Sequence, residues 1–234
     1  MYKAFLTAAL ALTLLAGCQS LHKSSQVDTV MTEDRQDDLI PAQAYQQLKA
    51  GNARFVAGQS TAFDYLAQAE ATADGQYPKA FVLSCIDSRA PVETIFDQGL
   101  GDLFVARVAG NIENTDILGS MEFATAVAGT PLVVVLGHTA CGGVKGTIAD
   151  VELGNLTSLL HEIKPALNQA DPTDGPKTAD NTDYVHAVTK ANVRQTMSDI
   201  VSRSEVVRDL INDGDLMIVG GVYDIANGEI LWLN

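Results

Sequence analysis

Five residues with metal-binding or acid–base side chains form two short motifs in this chain. Cys85, Asp87 and Arg89 alternate along the first motif, and His138 and Cys141 form the second, with His-x-x-Cys spacing. Thiolates and imidazole are preferred ligands of zinc, and three protein ligands leave a fourth position for water or substrate. Zinc held there would lower the pKa of a bound water towards ~7 and supply hydroxide near neutral pH. The two motifs therefore fit a catalytic zinc site.

The cysteines also fit two other arrangements. The chain has three cysteines, and Cys85 and Cys141 remain as a pair if Cys18 is modified as described below. A cysteine pair in an exported protein commonly forms a disulfide. A lone buried cysteine is commonly an inert core residue. From spacing alone, a zinc site, a disulfide and unlinked core cysteines all stay open.

The motifs follow predicted strands. Short, continuous apolar runs indicate strands at 80–84, 103–107, 132–136, 216–220 and about 229–233. Runs of this kind are typical of strands that are covered on both faces. Cys85 follows the first run directly, and His138 lies two residues after the third. Ligand sites in open α/β sheets form at the carboxyl ends of strands, so both motifs can meet at one point.

Helical patterns separate the strands. They cover 41–56, 116–128, 156–167 and one or two helices within 183–212, whereas 168–182 is rich in Pro, Gly and Asp and indicates a loop. Strands that alternate with helices predict an α/β fold. We expect a mostly parallel central sheet of four or five strands, flanked by α-helices, over residues 41–234.

The N-terminal segment predicts export and a lipid anchor. Lys3 precedes an uncharged apolar run over 4–17, which is too short to span a bilayer comfortably and is typical of a signal peptide. The run ends in Leu-Ala-Gly-Cys18, which resembles a bacterial lipobox. We expect removal of residues 1–17 and lipidation of Cys18; an ordinary secretory peptide with a chance cysteine is the alternative. Residues 18–40 are polar and predict a tether.

The residue after Cys18 bears on the location of the protein. Gln19, rather than Asp, follows the cysteine. By resemblance to Gram-negative lipoproteins, this predicts the periplasmic side of a bacterial membrane, with the outer membrane favoured. We therefore expect the membrane to be a partner through the N-terminal lipid.

Charge and composition limit the classes of protein and of partner that fit this chain. The chain has 234 residues, 47% of them hydrophobic, which fits one globular domain. Its formal net charge is −14, from 15 basic and 29 acidic residues. Phosphate binding needs a basic face, so nucleic acid is excluded as the main partner.

Longer segments around the motifs resemble the β-class carbonic anhydrases. They are SCIDSR at 84–89, GDLFVARVAGN at 101–111, GHTACGG at 137–143 and, near the C-terminus, GGVYDI at 220–225. Their order and intervals match the family, and the resemblance covers about 41–234. It implies the fold of that family and zinc-dependent, reversible hydration of CO₂ to bicarbonate and a proton, by attack of zinc-bound hydroxide on CO₂.

The resemblance also implies a role for each residue of the two motifs. Cys85, His138 and Cys141 would bind one Zn²⁺ per subunit. Asp87 would accept a hydrogen bond from the zinc-bound hydroxide, and Arg89 would hold the Asp87 carboxylate off the metal. A family subtype in which this Asp binds zinc and closes the site under bicarbonate control stays open.

Further residues would form the substrate pocket. Gln98 lies where the family has a glutamine that binds substrate. The small Gly142, with Gly143 at the start of a predicted helix, would let the backbone approach the metal, a tight turn being the alternative. Phe123 would line an apolar pocket for CO₂, and a core position is its alternative. The same pocket would include Val108 and Ala109, although the family often has Asn at position 108.

The resemblance implies a homodimer or higher homo-oligomer with pocket residues from both subunits. The helix predicted near 42–56 could pack across such an interface. Two other functions stay open: a zinc-binding or redox-sensing domain without hydratase activity, and a lipid-anchored domain stabilised by a Cys85–Cys141 disulfide.

Overall fold

All five predicted strands form one sheet in the computed structural model, which describes residues 30–233. In chain order the strands are β1 (Ala80–Ser84), β2 (Leu103–Arg107), β3 (Leu132–His138), β4 (Met217–Tyr223) and β5 (Ile230–Leu233). The spatial order is β2-β1-β3-β4-β5. Strands β1 to β4 are parallel to one another, and β5 is antiparallel to β4. The predicted fold class is confirmed.

The two strands that carry the motifs lie side by side. Ser84 at the end of β1 pairs with Leu136 of β3, so Cys85 and His138 emerge at the same edge of the sheet. Both strands are buried along their whole length, as the continuous apolar runs predicted.

Helices cover both faces of the sheet. They are α1 (Glu33–Asp37), α2 (Pro41–Val56), α3 (Tyr65–Ala71), α4 (Val92–Ile95), α5 (Thr115–Glu122), α6 (Gly142–Ile148), α7 (Gly154–Ile163), α8 (Ala166–Gln169), α9 (Thr182–Arg203) and α10 (Glu205–Asp213). One face of the sheet packs against α2 through Leu48, and the opposite face packs against α9 through Val193 and Ile200. The parallel sheet is therefore buried between two helical layers.

Local sequence explains several helix boundaries. Pro41 starts α2, where its missing N–H is no loss. The side chains of Asn181 and Ser204 cap α9 and α10. Gly214 ends α10 with a φ of +87°. The Ser204 cap explains why the predicted helical region 183–212 is two helices.

Two predicted helices are shorter than expected, and the short helices α1, α3 and α4 were not predicted. The pattern at 116–128 is an α-helix only to Glu122, and a π-helical turn covers Phe123–Val127. The pattern at 156–167 is divided between α7 and α8, because Pro165 cannot supply a backbone N–H within a continuous helix. Helix α3 lies in a region of mixed composition that predicted none.

The last part of the predicted tether packs on the domain. Val30 and Gln36 are buried, and Gln36 Nε2 donates to the carbonyl of Pro78 at 2.8 Å. Ordered packing thus begins earlier than the predicted boundary at 41. The predicted signal peptide, Cys18 and the start of the tether lie outside the described residues. Within 30–233, no helix is both long and apolar enough to cross a membrane.

Candidate metal centre

The three predicted metal ligands come together at the carboxyl edge of the sheet. Cys85 follows β1, His138 is the last residue of β3, and Cys141 precedes α6. One ligand atom from each lies within 4.8 Å of the other two, and all three residues are buried. Cys85 and Cys141 are both free thiols. The convergence of strand ends that the sequence predicted is therefore observed, without a disulfide.

The His138 ring presents one nitrogen to the two thiols. Its Nδ1 lies 2.9 Å from the Thr139 carbonyl oxygen. Since a carbonyl can only accept, Nδ1 carries the hydrogen and Nε2 keeps a free lone pair. Within residues 30–233, Nε2 is buried and has no hydrogen-bond partner. A buried acceptor of this kind beside two thiols fits a metal ion, and the nitrogen–sulfur ligand set fits zinc.

The two thiols have pKa values that shift in opposite directions. Cys141 acts as a hydrogen-bond donor to Cys85 and lowers the pKa of Cys85 to about 4, although burial opposes this shift. The same interaction, together with burial, raises the pKa of Cys141 above its ordinary range. One thiolate thus forms easily, and a bound cation would favour the second.

Backbone groups also surround Cys85. The Gly110 N–H donates to Cys85 Sγ at 3.4 Å. Gly110 has a φ of +73°, a conformation that favours glycine, and a Cβ there would press on Ile163 Cδ1. Asn192 Nδ2 donates to the Gly110 carbonyl at 2.7 Å. No local sequence pattern marks either residue as part of the site.

The predicted Asp87–Arg89 pair forms beside these ligands. Arg89 Nε donates to Asp87 Oδ1 at 2.9 Å, and Nη2 donates to Oδ2 at 2.7 Å. This hydrogen-bonded guanidinium holds the pKa of the Asp87 carboxyl well below its ordinary value. Asp87 Oδ2 lies 3.8 Å from His138 Nε2. An ionised carboxylate is therefore held next to the ligand set.

Arg107 fixes the loop that carries Cys85 and Asp87. Its Nε donates to the Cys85 carbonyl at 2.8 Å, and its Nη2 donates to the Asp87 carbonyl at 2.6 Å. Arg107 pairs in register with Ser84, the last residue of β1. This arginine lies within the segment 101–111, but its role was not predicted, because that role depends on β2 lying next to β1.

A cavity of about 270 Å³ opens beside the ligands. Cys85, Asp87, Ala109 and Gly142 line it together with apolar side chains that include Leu156. The predicted positions of Ala109 and Gly142 near the metal centre agree with this lining. The cavity therefore combines an apolar wall with the Asp87 carboxylate and the Cys85 thiol.

Residues 80–230 match the sequence profile of the family described as carbonic anhydrase. The chain belongs to the carbonic anhydrase family. It is 37% identical over 193 residues to carbonic anhydrase 2 of Mycobacterium tuberculosis, a match that covers 81% of this chain and 91% of that one. It is 36% identical over 196 residues to a carbonic anhydrase of Mycolicibacterium smegmatis, with coverage of 81% and 92%.

Solved structures place it in the β class. The β-carbonic anhydrase CafA of Aspergillus fumigatus superimposes with a TM-score of 0.63 at 25% identity, covering 81% of this chain and 90% of that one. One of two tetrameric β-carbonic anhydrases from Sordaria macrospora superimposes with a TM-score of 0.61 at 28% identity, covering 81% of this chain and 96% of that one. The predicted family and enzyme class are confirmed.

Two predicted pocket residues of this carbonic anhydrase lie away from the metal ligands of their own chain. Gln98 is buried and lines a second cavity of about 230 Å³, together with Arg54 and Asp97. Phe123 is 49% exposed and lines a groove of about 680 Å³ with Phe104. Neither residue lines the cavity beside Cys85, and Phe123 is not a core residue.

Val108 also departs from its predicted position. It lines a cavity of about 340 Å³ with Glu113 and Arg203 rather than the cavity at the metal centre. Its neighbour Ala109 does line the metal-centre cavity. The backbone direction changes between the two residues, because Val108 is extended and Ala109 begins a 3₁₀ turn.

Proposed function

We propose that this carbonic anhydrase binds one Zn²⁺ per subunit through Cys85, His138 and Cys141 and hydrates CO₂ reversibly to bicarbonate and a proton. The observation that carries the proposal is the buried, unpartnered Nε2 of His138, which faces two free thiols beside the arginine-held carboxylate of Asp87. A purely structural zinc site would need neither Asp87 nor Arg89.

Zinc held by these residues would supply one part of the chemistry: it would lower the pKa of a bound water towards ~7, so that hydroxide would be available near neutral pH. Asp87 then accepts a hydrogen bond from the attacking oxygen, which directs a lone pair of that oxygen at the carbon of CO₂. Because Arg89 lowers its pKa, Asp87 is ionised and can accept at neutral pH.

Arg89 favours the open form of the site. It bonds both carboxylate oxygens of Asp87 and so holds the carboxylate in one orientation. Asp87 Oδ2 lies 3.8 Å from His138 Nε2, but the carboxylate does not belong to the group of ligand atoms that all lie within 4.8 Å of one another. We therefore infer an open site at rest, with Asp87 as a hydrogen-bond acceptor.

The apolar walls suit the substrate better than the product. CO₂ is uncharged and linear, and it gains from contact with side chains such as Leu156 and Leu160. Bicarbonate carries a charge that these walls do not solvate. The cavity thus favours binding of CO₂ and release of bicarbonate.

Stopped-flow measurement of CO₂ hydration tests this function. We expect proton release by the zinc-loaded chain and loss of that release in Cys85→Ser, because serine is a poor ligand for zinc. Thiol titration after removal of the metal separates the alternatives: two free thiols and one equivalent of zinc support the enzyme, and no free thiol would support a disulfide. Equal hydration rates for wild type and Cys85→Ser would contradict the proposed site.

We further infer a homodimer or larger homo-oligomer in which Gln98 and Phe123 act on the site of the partner. Both residues line cavities other than that of their own metal ligands, and the similar Sordaria macrospora enzymes are tetrameric. The exposed aromatic surface of Phe123 would be buried in such an interface.

A mixed oligomer tests whether Gln98 acts across the interface. Cys85→Ser and Gln98→Ala chains, each of low activity alone, are refolded together. If Gln98 serves the partner, the Gln98→Ala subunit keeps its zinc and receives Gln98 from the other chain, so that activity returns. Absence of any recovery in a verified hybrid would place Gln98 in the site of its own chain or outside catalysis.

We also propose that the enzyme is attached to the periplasmic side of a bacterial membrane, and to the outer membrane by preference, through Cys18. The support is the lipobox-like sequence after an apolar run and the Gln19 that follows. We expect metabolic labelling with a fatty acid to mark the wild-type chain and not Cys18→Ala, and membrane fractionation to release that variant. Equal labelling of the two chains would contradict lipidation at this residue.

A further inference from the structure

We propose that Thr139 is a positioning residue for the metal centre. Thr139 connects the His138 ring to the β4–β5 hairpin. The inference rests on the zinc binding proposed above. Thr139 lies between two metal ligands in the chain, is half-buried, and its backbone and side chain contact different partners.

The backbone of Thr139 bonds in two directions. Its carbonyl oxygen accepts from His138 Nδ1 at 2.9 Å, which fixes the tautomer and the direction of Nε2. Its N–H donates to the carbonyl of Tyr223 at 2.9 Å. Because Tyr223 pairs in register with His138, this bond extends the β3–β4 pairing by one residue beyond the metal ligand.

The hydroxyl of Thr139 bonds to the turn after β4. It donates to Asp224 Oδ1 at 3.3 Å and accepts from the Ile225 N–H at 3.1 Å. Asp224 Oδ1 also accepts from the Ala226 N–H at 2.9 Å. The hydroxyl is thus part of a network that holds the hairpin turn.

The turn itself is closed by backbone bonds. The Asp224 N–H donates to the Glu229 carbonyl at 2.8 Å, and the Gly228 N–H donates to the Asp224 carbonyl at 2.8 Å. Thr139 is therefore attached to a rigid support, and the direction of its carbonyl depends on that support.

The next residue shows why such an attachment is needed. Ala140 has a φ of +56°, a left-handed conformation that is unfavourable for alanine. This conformation turns the chain so that His138 and Cys141 face the same point. Without an anchor at Thr139, rotation at residue 140 would relieve the strain and move the two ligands apart.

The test compares Thr139→Val, which keeps the shape but removes the hydroxyl, with Thr139→Ser, which retains it. Thr130→Val is the matched control, because the Thr130 hydroxyl donates to the Pro78 carbonyl at 3.2 Å near the opposite end of β3. Zinc release is measured by transfer to a chromophoric chelator, and the ligand field by visible absorption of the cobalt-substituted protein.

We expect Thr139→Val to release zinc about tenfold faster than wild type and to shift the cobalt bands. Thr139→Ser should be close to wild type, and Thr130→Val should release zinc at the wild-type rate even if its melting temperature falls. Asp224→Ala removes the carboxylate that accepts from the Thr139 hydroxyl and should also speed zinc release. This variant replaces Thr139→Val in the test if Thr139→Val does not fold.

Unchanged zinc release in Thr139→Val would overturn the inference, as would equal acceleration in Thr130→Val. In both of these cases wild type still binds zinc, so the proposed function stands. Failure of the wild-type chain to bind zinc would instead overturn the proposed function and this inference with it.

Discussion

The two loops that carry the metal ligands are held in different ways. The first loop, 85–89, is held by charged groups: Arg89 bonds the Asp87 carboxylate, and Arg107 bonds two of the loop's carbonyls. The Arg89 side chain is 55% exposed. The second loop, 138–141, is held by the bonds of Thr139 to the β4–β5 hairpin.

This difference indicates that the two loops have different functions. The first loop supplies one proposed ligand and the Asp87–Arg89 ion pair, in which the guanidinium is exposed to solvent. The second loop supplies two ligands, and its backbone must hold them at a fixed separation. We therefore expect changes in the second loop to affect metal binding and changes at Asp87 and Arg89 to affect turnover.

The largest expected effect is in the second loop. His138→Ala removes one of three ligands, so we expect loss of zinc and a fall in CO₂ hydration of roughly a thousandfold, since several kcal/mol of transition-state stabilisation depend on the metal. His161→Ala, which changes an exposed histidine of α7, is the control. Metal content and hydration rate are measured together. If His138→Ala retained both, the assignment of metal binding to the second loop would be wrong.

A smaller effect is expected at the carboxylate of the first loop. Asp87→Asn keeps the size of the side chain but removes its charge, so we expect turnover to fall about 100-fold with one equivalent of zinc retained. Loss of zinc together with turnover would mean that Asp87 is a metal ligand and that the site closes at rest.

Removal of the guanidinium should have a still smaller effect, with a defined pH dependence. Arg89 holds the pKa of Asp87 below its ordinary value of 3.8, so the pair stabilises the fold fully above that pH and less as the pH falls through the depressed pKa. We expect Arg89→Gln to lower turnover about tenfold at pH 7. The free energy of unfolding of Arg89→Gln should be lower than that of wild type, and this difference should shrink only below a pH of about 4.

Denaturant titrations at several pH values, with Lys164→Gln as the control, check that dependence. Lys164 pairs with Asp150 at 2.7 Å on the surface, so its loss should leave turnover unchanged. A deficit for Arg89→Gln that grows as the pH falls below about 4 would contradict the sign of the Asp87 shift.

The smallest expected effect concerns the strained residue of the second loop. Ala140→Gly should raise the free energy of unfolding by about 1 kcal/mol, because glycine adopts a positive φ without strain. Ala149 is also exposed but has a φ of −84°, so Ala149→Gly should lower that free energy by about 0.5 to 1 kcal/mol. Urea titration compares the two, and a destabilised Ala140→Gly would contradict the proposed strain.

The sequence predicted the convergence of Cys85, His138 and Cys141 because it follows from local features. Cys85 and His138 come after apolar runs, and parallel strand ends meet at one edge. The roles of Arg107 and Thr139 were not predictable in this way. They depend on β2 lying beside β1 and β4 lying beside β3, and no local pattern specifies that order.

The predicted tether and the predicted substrate pocket differ from the structure, because both depend on contacts that composition does not reveal. Gln36 lies in a polar segment that resembled a tether, yet its amide bonds the Pro78 carbonyl and buries the side chain. Gln98 and Phe123 matched the positions of substrate-binding residues, but within one chain they line other cavities. A role across a subunit interface cannot be recognised from one sequence without its family.

Zinc titration of CO₂ hydration tests the central claim most directly. Chelator-treated chain and Cys141→Ser receive zinc in fractions of an equivalent, and proton release is recorded at each step. The proposed site predicts a rate that rises linearly to one zinc per chain, then stays constant, and is absent in Cys141→Ser. A rate that does not depend on zinc, or zinc bound at one equivalent without hydration above the buffer rate, would contradict it.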